Sequence, residues 1–153
     1  MPSLRPVSQL DAHLGYWLRS VSNHVSYAFS QKVAERDVTV AEWVLLRQLY
    51  EHERLAPSRL ADDMHMTRGA ISKLVDRLSA KALVKRSQVK GDRRCQDVAL
   101  TAAGRALVPK LAALADTNDD EFFGHLKSAE RATIEKFLKD IVWRAGITDI
   151  PVD

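Results

Sequence analysis

Residues 57–104 read PSRLADDMHMTRGAISKLVDRLSAKALVKRSQVKGDRRCQDVALTAAG. Pro57 suits the first position of a helix, where its fixed φ is already helical and its missing N–H has no partner to lose. Leu60, Ala61 and Met64 follow at helical spacing, and the pair His65-Met66 breaks the run. Thr67, whose hydroxyl can accept from a first-turn amide, opens a second helix. In that helix Ile71, Leu74, Val75, Leu78 and Ala82 form one apolar stripe, which leaves Gly69, Ser72, Lys73, Asp76, Arg77 and Ala80 on the opposite face. Leu83–Val89 and Gln96–Leu100 then read as two short strands, the second turning Val98 and Leu100 inward, joined by the tip Lys90-Gly91-Asp92-Arg93-Arg94.

The charge of the chain is concentrated on this stretch. The total is +3, but residues 54–105 hold 12 Lys or Arg against 5 Asp or Glu, while the remainder holds 11 against 15. A centre of net +7 between flanks of net −4 is the footprint of a protein that meets a polyanion with its middle. A short helix, a tight break, a second helix and a basic hairpin form a winged helix-turn-helix. Its second helix fits the major groove of B-DNA, and its hairpin reaches the neighbouring backbone or minor groove. Gly69 and Ala70 are small enough for close approach. Thr67, Arg68, Ser72, Lys73 and Arg77 face the same way, the charged and hydroxyl groups able to donate to phosphates or base edges. Ser58 and Arg59 at the start of the preceding helix can clamp the backbone.

Long amphipathic helices flank this centre. Residues 10–36 carry Leu14, Trp17, Leu18, Val21, Val25, Ala28, Phe29 and Val33 at steps of three and four. Thr39 and Glu42 form a capping box for a helix running to about His52. After the hairpin, Thr101 caps a fifth helix with Leu107, Val108, Leu111, Leu114 and Ala115 apolar, which Pro109 is expected to bend. Ser128 starts a sixth, with Ile134, Phe137, Leu138, Ile141 and Val142 apolar and Gly146 placed to end it. The expected fold is mainly α with a small β-hairpin wing. It forms one intertwined domain: residues 38–104 make the winged helix-turn-helix, and residues 1–37 and 105–153 a helical dimerisation region. The flanking helices exceed what is needed to cover the centre, and burial against a second copy explains the surplus.

The run Asp92-Arg93-Arg94-Cys95-Gln96-Asp97-Val98-Ala99-Leu100-Thr101-Ala102-Ala103-Gly104 resembles the wing of the MarR family of bacterial transcription regulators, in which D-x-R precedes an apolar strand and L-T-x-x-G. Leu60-Ala61 and residues 67–78 are similar to that family's turn and recognition helix. The resemblance implies an obligate homodimer in which helices one, five and six of both subunits interlock. It makes Arg94 the wing arginine that enters the minor groove and Asp92 the acid that orients it, beside Lys90 and Arg93 at the tip. A narrow minor groove concentrates negative potential, so an inserted guanidinium is favoured there. Two recognition helices roughly 34 Å apart imply a palindromic operator.

The resemblance also implies relief of repression by a small aromatic acid or phenol. For such an effector helix one offers His13, Tyr16, Trp17 and Arg19, and helix two offers Trp43 and Arg47, a mixture of flat faces and donors. His13 and His24 share a helix face but lie about 16 Å apart by helical rise, too far for one ion, so no metal site is expected. Cys95 reads as a small strand residue. The chain has no G-x-S-x-G, no phosphate-cradling glycine loop and no nucleophile with a base partner, so neither an enzyme nor a cofactor is expected. No apolar run approaches the roughly 20 residues a membrane span needs. One cysteine and no leader-like opening point to a reducing cytoplasm, and the resemblance implies a bacterial one, at the nucleoid. The expected partners are double-stranded DNA, a second copy and the effector. A helical adaptor or a non-specific architectural DNA-binding protein is the alternative, though an adaptor has no use for the basic wing.

Overall fold

The computed structural model describes residues 5–89 and 92–153, with side chains described for 5–88 and 96–153. Among the described residues, six α-helices and one hairpin follow in order: α1 (Leu14–Ala34), α2 (Val40–Tyr50), α3 (Pro57–Met64), α4 (Arg68–Ala80), β1 (Val84–Val89), β2 (Asp92–Leu100), α5 (Ala102–Phe123) and α6 (Ser128–Arg144). This is the expected mainly helical architecture with a hairpin wing.

Local chemistry sets most of the boundaries. The Thr39 hydroxyl accepts from Glu42 N at 3.1 Å, and the Glu42 carboxylate accepts from Thr39 N at 3.2 Å, the reciprocal capping box at the start of α2. Thr67 Oγ1 accepts from Ala70 N at 3.1 Å and starts α4. Thr101 does double duty. Its hydroxyl accepts from Gly104 N at 3.0 Å and donates to Ala82 O at 2.6 Å, while its amide donates to Leu83 O at 3.1 Å. A Cβ on Gly104 would run into the Leu83 carbonyl, so the glycine of L-T-x-x-G is what lets α5 start hard against the hairpin.

Three boundaries differ from the sequence expectation. The first helix is interrupted: Leu10–Ala12 form a 3-10 turn, and extended backbone at His13 separates it from α1. Helix α2 stops at Tyr50, two residues early. Strand β2 begins at Asp92 rather than Gln96, so the tip shortens, and a register irregularity between Gln88 and Val89 absorbs the mismatch. The polar run 92–97 concealed a strand because it carries no alternating hydrophobic pattern. Helix α5 continues through Pro109 as one element.

The core lies between α2, α3, α4 and the base of the hairpin. Leu45, Leu46, Leu49, Leu60, Ile71, Leu78 and Val98 are all completely buried. Truncating any of the leucines to Ala at such sites costs about 2–5 kcal/mol. The link between α2 and α3 joins the wing as well: Leu55 N donates to Val98 O at 2.9 Å and Val98 N to Leu55 O at 2.8 Å, a single antiparallel bridge that holds the foot of β2. Helix α5 packs on α1 and α2. Buried Asn118 donates to Val25 O at 3.1 Å and accepts from Lys32 at 2.9 Å, so its own amide is satisfied between α1 and α5. Helix α6 has no buried residue.

Candidate nucleic-acid interface

Helix α4 divides cleanly. Ile71, Leu74, Val75 and Leu78 are buried, whereas Arg68, Gly69, Ser72, Lys73, Asp76 and Arg77 are exposed, with Thr67 exposed at the helix start. The break before it is a left-handed residue, His65 at φ 48° and ψ 45°, whose amide caps α3 by donating to the Ala61 and Asp62 carbonyls. One residue in that conformation turns the chain sharply enough to set α4 across α3. Gly69 serves no internal packing: a Cβ there would meet nothing nearer than Thr67 Oγ1 at 4.0 Å. Its smallness therefore matters only to something approaching from outside. Ala70, by contrast, is half-buried.

On α3, Ser58 is half-buried and Arg59 exposed, its guanidinium held by Asp63 one turn on at 3.0 Å. Arg59 thus stands braced beside the amides of the α3 first turn. Of the wing candidates, Lys90 lies outside the described residues. Asp92, Arg93 and Arg94 belong to β2, but their side chains, like that of Cys95, lie outside the described ones.

The wing is tied to α4 by a contact the sequence reading missed. Arg86 on β1 donates to the Asp76 carboxylate at 2.7 Å, with its second nitrogen 3.5 Å from Ser72 O. Asp76 is the one acid on an otherwise basic helix face, and an isolated acid in that setting signals a cation partner from elsewhere in the fold. A second missed pair sits at the far end of α4. Glu42 is 1% exposed, and Lys81, the residue that ends α4, donates to it at 3.0 Å and to Asp37 O at 2.5 Å. Between them these pairs fix the helix to both of its neighbours.

The six residues expected around an effector are not gathered by one protomer. His13 lies exposed just before α1, and Tyr16, Trp17 and Arg19 lie exposed on its first half. Trp17 donates to Asp11 O at 2.8 Å and meets Tyr16 edge to face, 5.1 Å between ring centres. Arg47 is exposed on α2, paired with Glu51 at 3.2 Å and stacked 5.6 Å over Tyr50. Of the six, Trp43 borders a cavity of about 260 Å³ between α1, α2, α5 and the C-terminal tail, whose lining includes none of the other five. A larger apolar groove of about 580 Å³ runs between the end of α5 and α6, lined by Phe123, Leu126, Ile134, Leu138, Val142 and Trp143. At its edge Glu135 is hydrogen-bonded to Lys139 at 2.6 Å, and that ammonium holds its carboxyl below the ordinary carboxylate range. Among the described residues no helix is long and apolar enough to cross a membrane.

Comparison with known proteins agrees with this geometry. Residues 38–96 match the model of the MarR family. The chain is 28% identical over 129 residues to the HTH-type transcriptional repressor NicR of Pseudomonas putida, covering 84% of this chain and 82% of that protein. Among solved structures it is similar to a mutant MarR from E. coli complexed with operator DNA, at 25% identity and TM-score 0.73, over 84% of this chain and 93% of that one. It is also similar to Bordetella bronchiseptica BpsR, whose DNA binding is regulated by 6-hydroxynicotinic acid, at 26% identity and TM-score 0.75, over 89% and 97% of the two chains.

Proposed function

Because this chain belongs to the MarR family of DNA-binding transcription regulators, which are not enzymes, we propose that it is a homodimeric repressor released from a palindromic operator by a small aromatic or phenolic ligand. The observation that carries the reading is the exposed face of α4. Arg68, Ser72, Lys73 and Arg77 stand outward around Gly69, and the ion pairs at Asp76 and Lys81 fix the C-terminal half of the helix to its neighbours. In this reading α4 lies in the major groove with Ser72 and Lys73 toward base edges. Thr67, Arg68, Arg77, Ser58 and Arg59 take phosphates, while Arg94, oriented by Asp92, enters the minor groove beside Lys90 and Arg93 at the wing tip.

Dimerisation follows from surface that a lone protomer leaves wet. Phe137 is 61% and Trp143 85% exposed on α6, and Leu14, Trp17, Leu18 and Val21 are exposed on α1. Exposed apolar faces of this extent mark an interface. Residues 1–37 and 105–153 supply that interface, and residues 38–104 the reading head. A ligand bound between the two regions acts only through its different affinity for the two spacings of the recognition helices. Likeness to NicR, a transcriptional repressor, supports repression, and likeness to BpsR, whose DNA binding is regulated by 6-hydroxynicotinic acid, supports control by a small molecule. The effector site is proposed at the α1 and α2 faces that carry His13, Tyr16, Trp17, Arg19, Trp43 and Arg47.

The test is a selection of genomic DNA fragments with the purified protein at physiological salt. Enrichment of a palindrome whose half-sites lie one helical turn apart is the expected result. Equal recovery of all fragments, or none, overturns the reading. Affinity should also fall steeply with salt, because phosphate contacts release counterions.

A further inference from the structure

The cavity beside Trp43 has a definite electrostatic character. Its apolar walls include Phe29, Trp43 and Val44, and its polar ones Asn118, Asp119 and Asp153. Phe29 and Trp43 meet edge to face with ring centres 6.5 Å apart, and both rings border the cavity. The volume of about 260 Å³ lies at the small end of ligand sites, suited to one or two fused rings.

Every ionisable residue lining this cavity is an acid. The bases behind its wall are engaged: Arg131 with Asp119 at 2.8 Å, and Lys32 with Glu121 at 2.7 Å and Asn118 at 2.9 Å. Asp153 has no ion-pair partner among the described residues. A ligand carboxylate entering here meets a like charge and, among the described residues lining the cavity, no unengaged cation, so its desolvation goes uncompensated. A protonated nitrogen is attracted both by Asp153 and by the face of the Trp43 indole.

We propose that this cavity binds a small aromatic ligand bearing a protonated nitrogen and discriminates against aromatic carboxylates. The proposal rests on the reading of a ligand-relieved repressor and names the ligand class of that control. It also supplies a route to the reading head. Pro151 and Asp153 belong to the tail after α6, and in the same tail Thr148 Oγ1 lies within hydrogen-bond distance, 3.3 Å, of His65 Nε2 in the turn between α3 and α4. Ile150 and Val152 pack against the core between those points. A ligand that draws Asp153 inward therefore pulls on the strap that touches the helix-turn-helix.

The experiment measures binding of three probes of one shape to the full-length protein by calorimetry: 2-naphthylmethylamine, 2-naphthol and 2-naphthoate. The amine should bind about tenfold more tightly than the naphthoate, the order that one partly solvated unit charge contributes, with the naphthol between them. Asp153→Lys, a change at an exposed position, should narrow or invert that ratio, and Trp43→Leu should weaken all three. Naphthoate binding as tightly as the amine, or a ratio unmoved by Asp153→Lys, overturns the ligand class while leaving the repressor reading intact. Failure of all three probes to bind overturns the site. The genomic selection described above judges the repressor reading separately.

Discussion

Replacing Lys81 by Met removes the cation from a carboxylate that is 1% exposed and leaves the shape of the side chain nearly unchanged. Glu42 then keeps one partner, the Thr39 amide at 3.2 Å, and loses the ammonium at 3.0 Å. Breaking a fully buried pair costs about 3–5 kcal/mol. Lys81 itself is 27% exposed, so water reaches one side of the pair and the lower figure of about 2–3 kcal/mol applies. Urea denaturation at fixed protein concentration reads this as a midpoint lowered by about 1–2 M, given the usual slopes for small domains. Glu42→Gln combined with Lys81→Met should recover much of the loss. The amide oxygen can still accept from Thr39 N, and no charge is left buried. A Lys81→Met protein within about 0.5 kcal/mol of the parent, or a double variant less stable than Lys81→Met alone, would refute the claim that an unpaired Glu42 is what destabilises.

Gly69→Ala should separate stability from binding: with open space around the site the variant should be a few tenths to about 1 kcal/mol more stable to urea, yet bind operator more weakly in a gel-shift titration. A variant that binds as well as the parent would remove Gly69 from the interface. Arg94→Ala should weaken operator binding by about 1–3 kcal/mol with the dimer intact, and unchanged affinity would refute the assignment of the wing. Phe137→Asp, on the exposed face of α6, should convert the dimer to monomer in light scattering at micromolar concentration; a parent protein that is itself monomeric there defeats the dimer outright.

The reading head was legible because its signals are local. Pro57, Thr67, the stripe from Ile71 to Leu78, and Leu100-Thr101 followed by Gly104 each act within one turn or one tight corner, and their elements begin within a residue or two of where those signals stand. Strand β2 was less legible: its outer half is polar on both sides, and hydrophobic alternation is the only cue a strand writes into its sequence. What only the tertiary structure decided are the contacts whose partners lie far apart in the chain. Arg86 to Asp76, Lys81 to Glu42, Leu55 to Val98 and Thr148 to His65 span 10, 39, 43 and 83 positions. Periodicity and capping report which face of an element is apolar and where it begins, because those depend on neighbours in sequence. Which charges meet across the fold, and whether a cavity faces an acid or a base, depends on how the elements are docked, and no residue carries that information by itself.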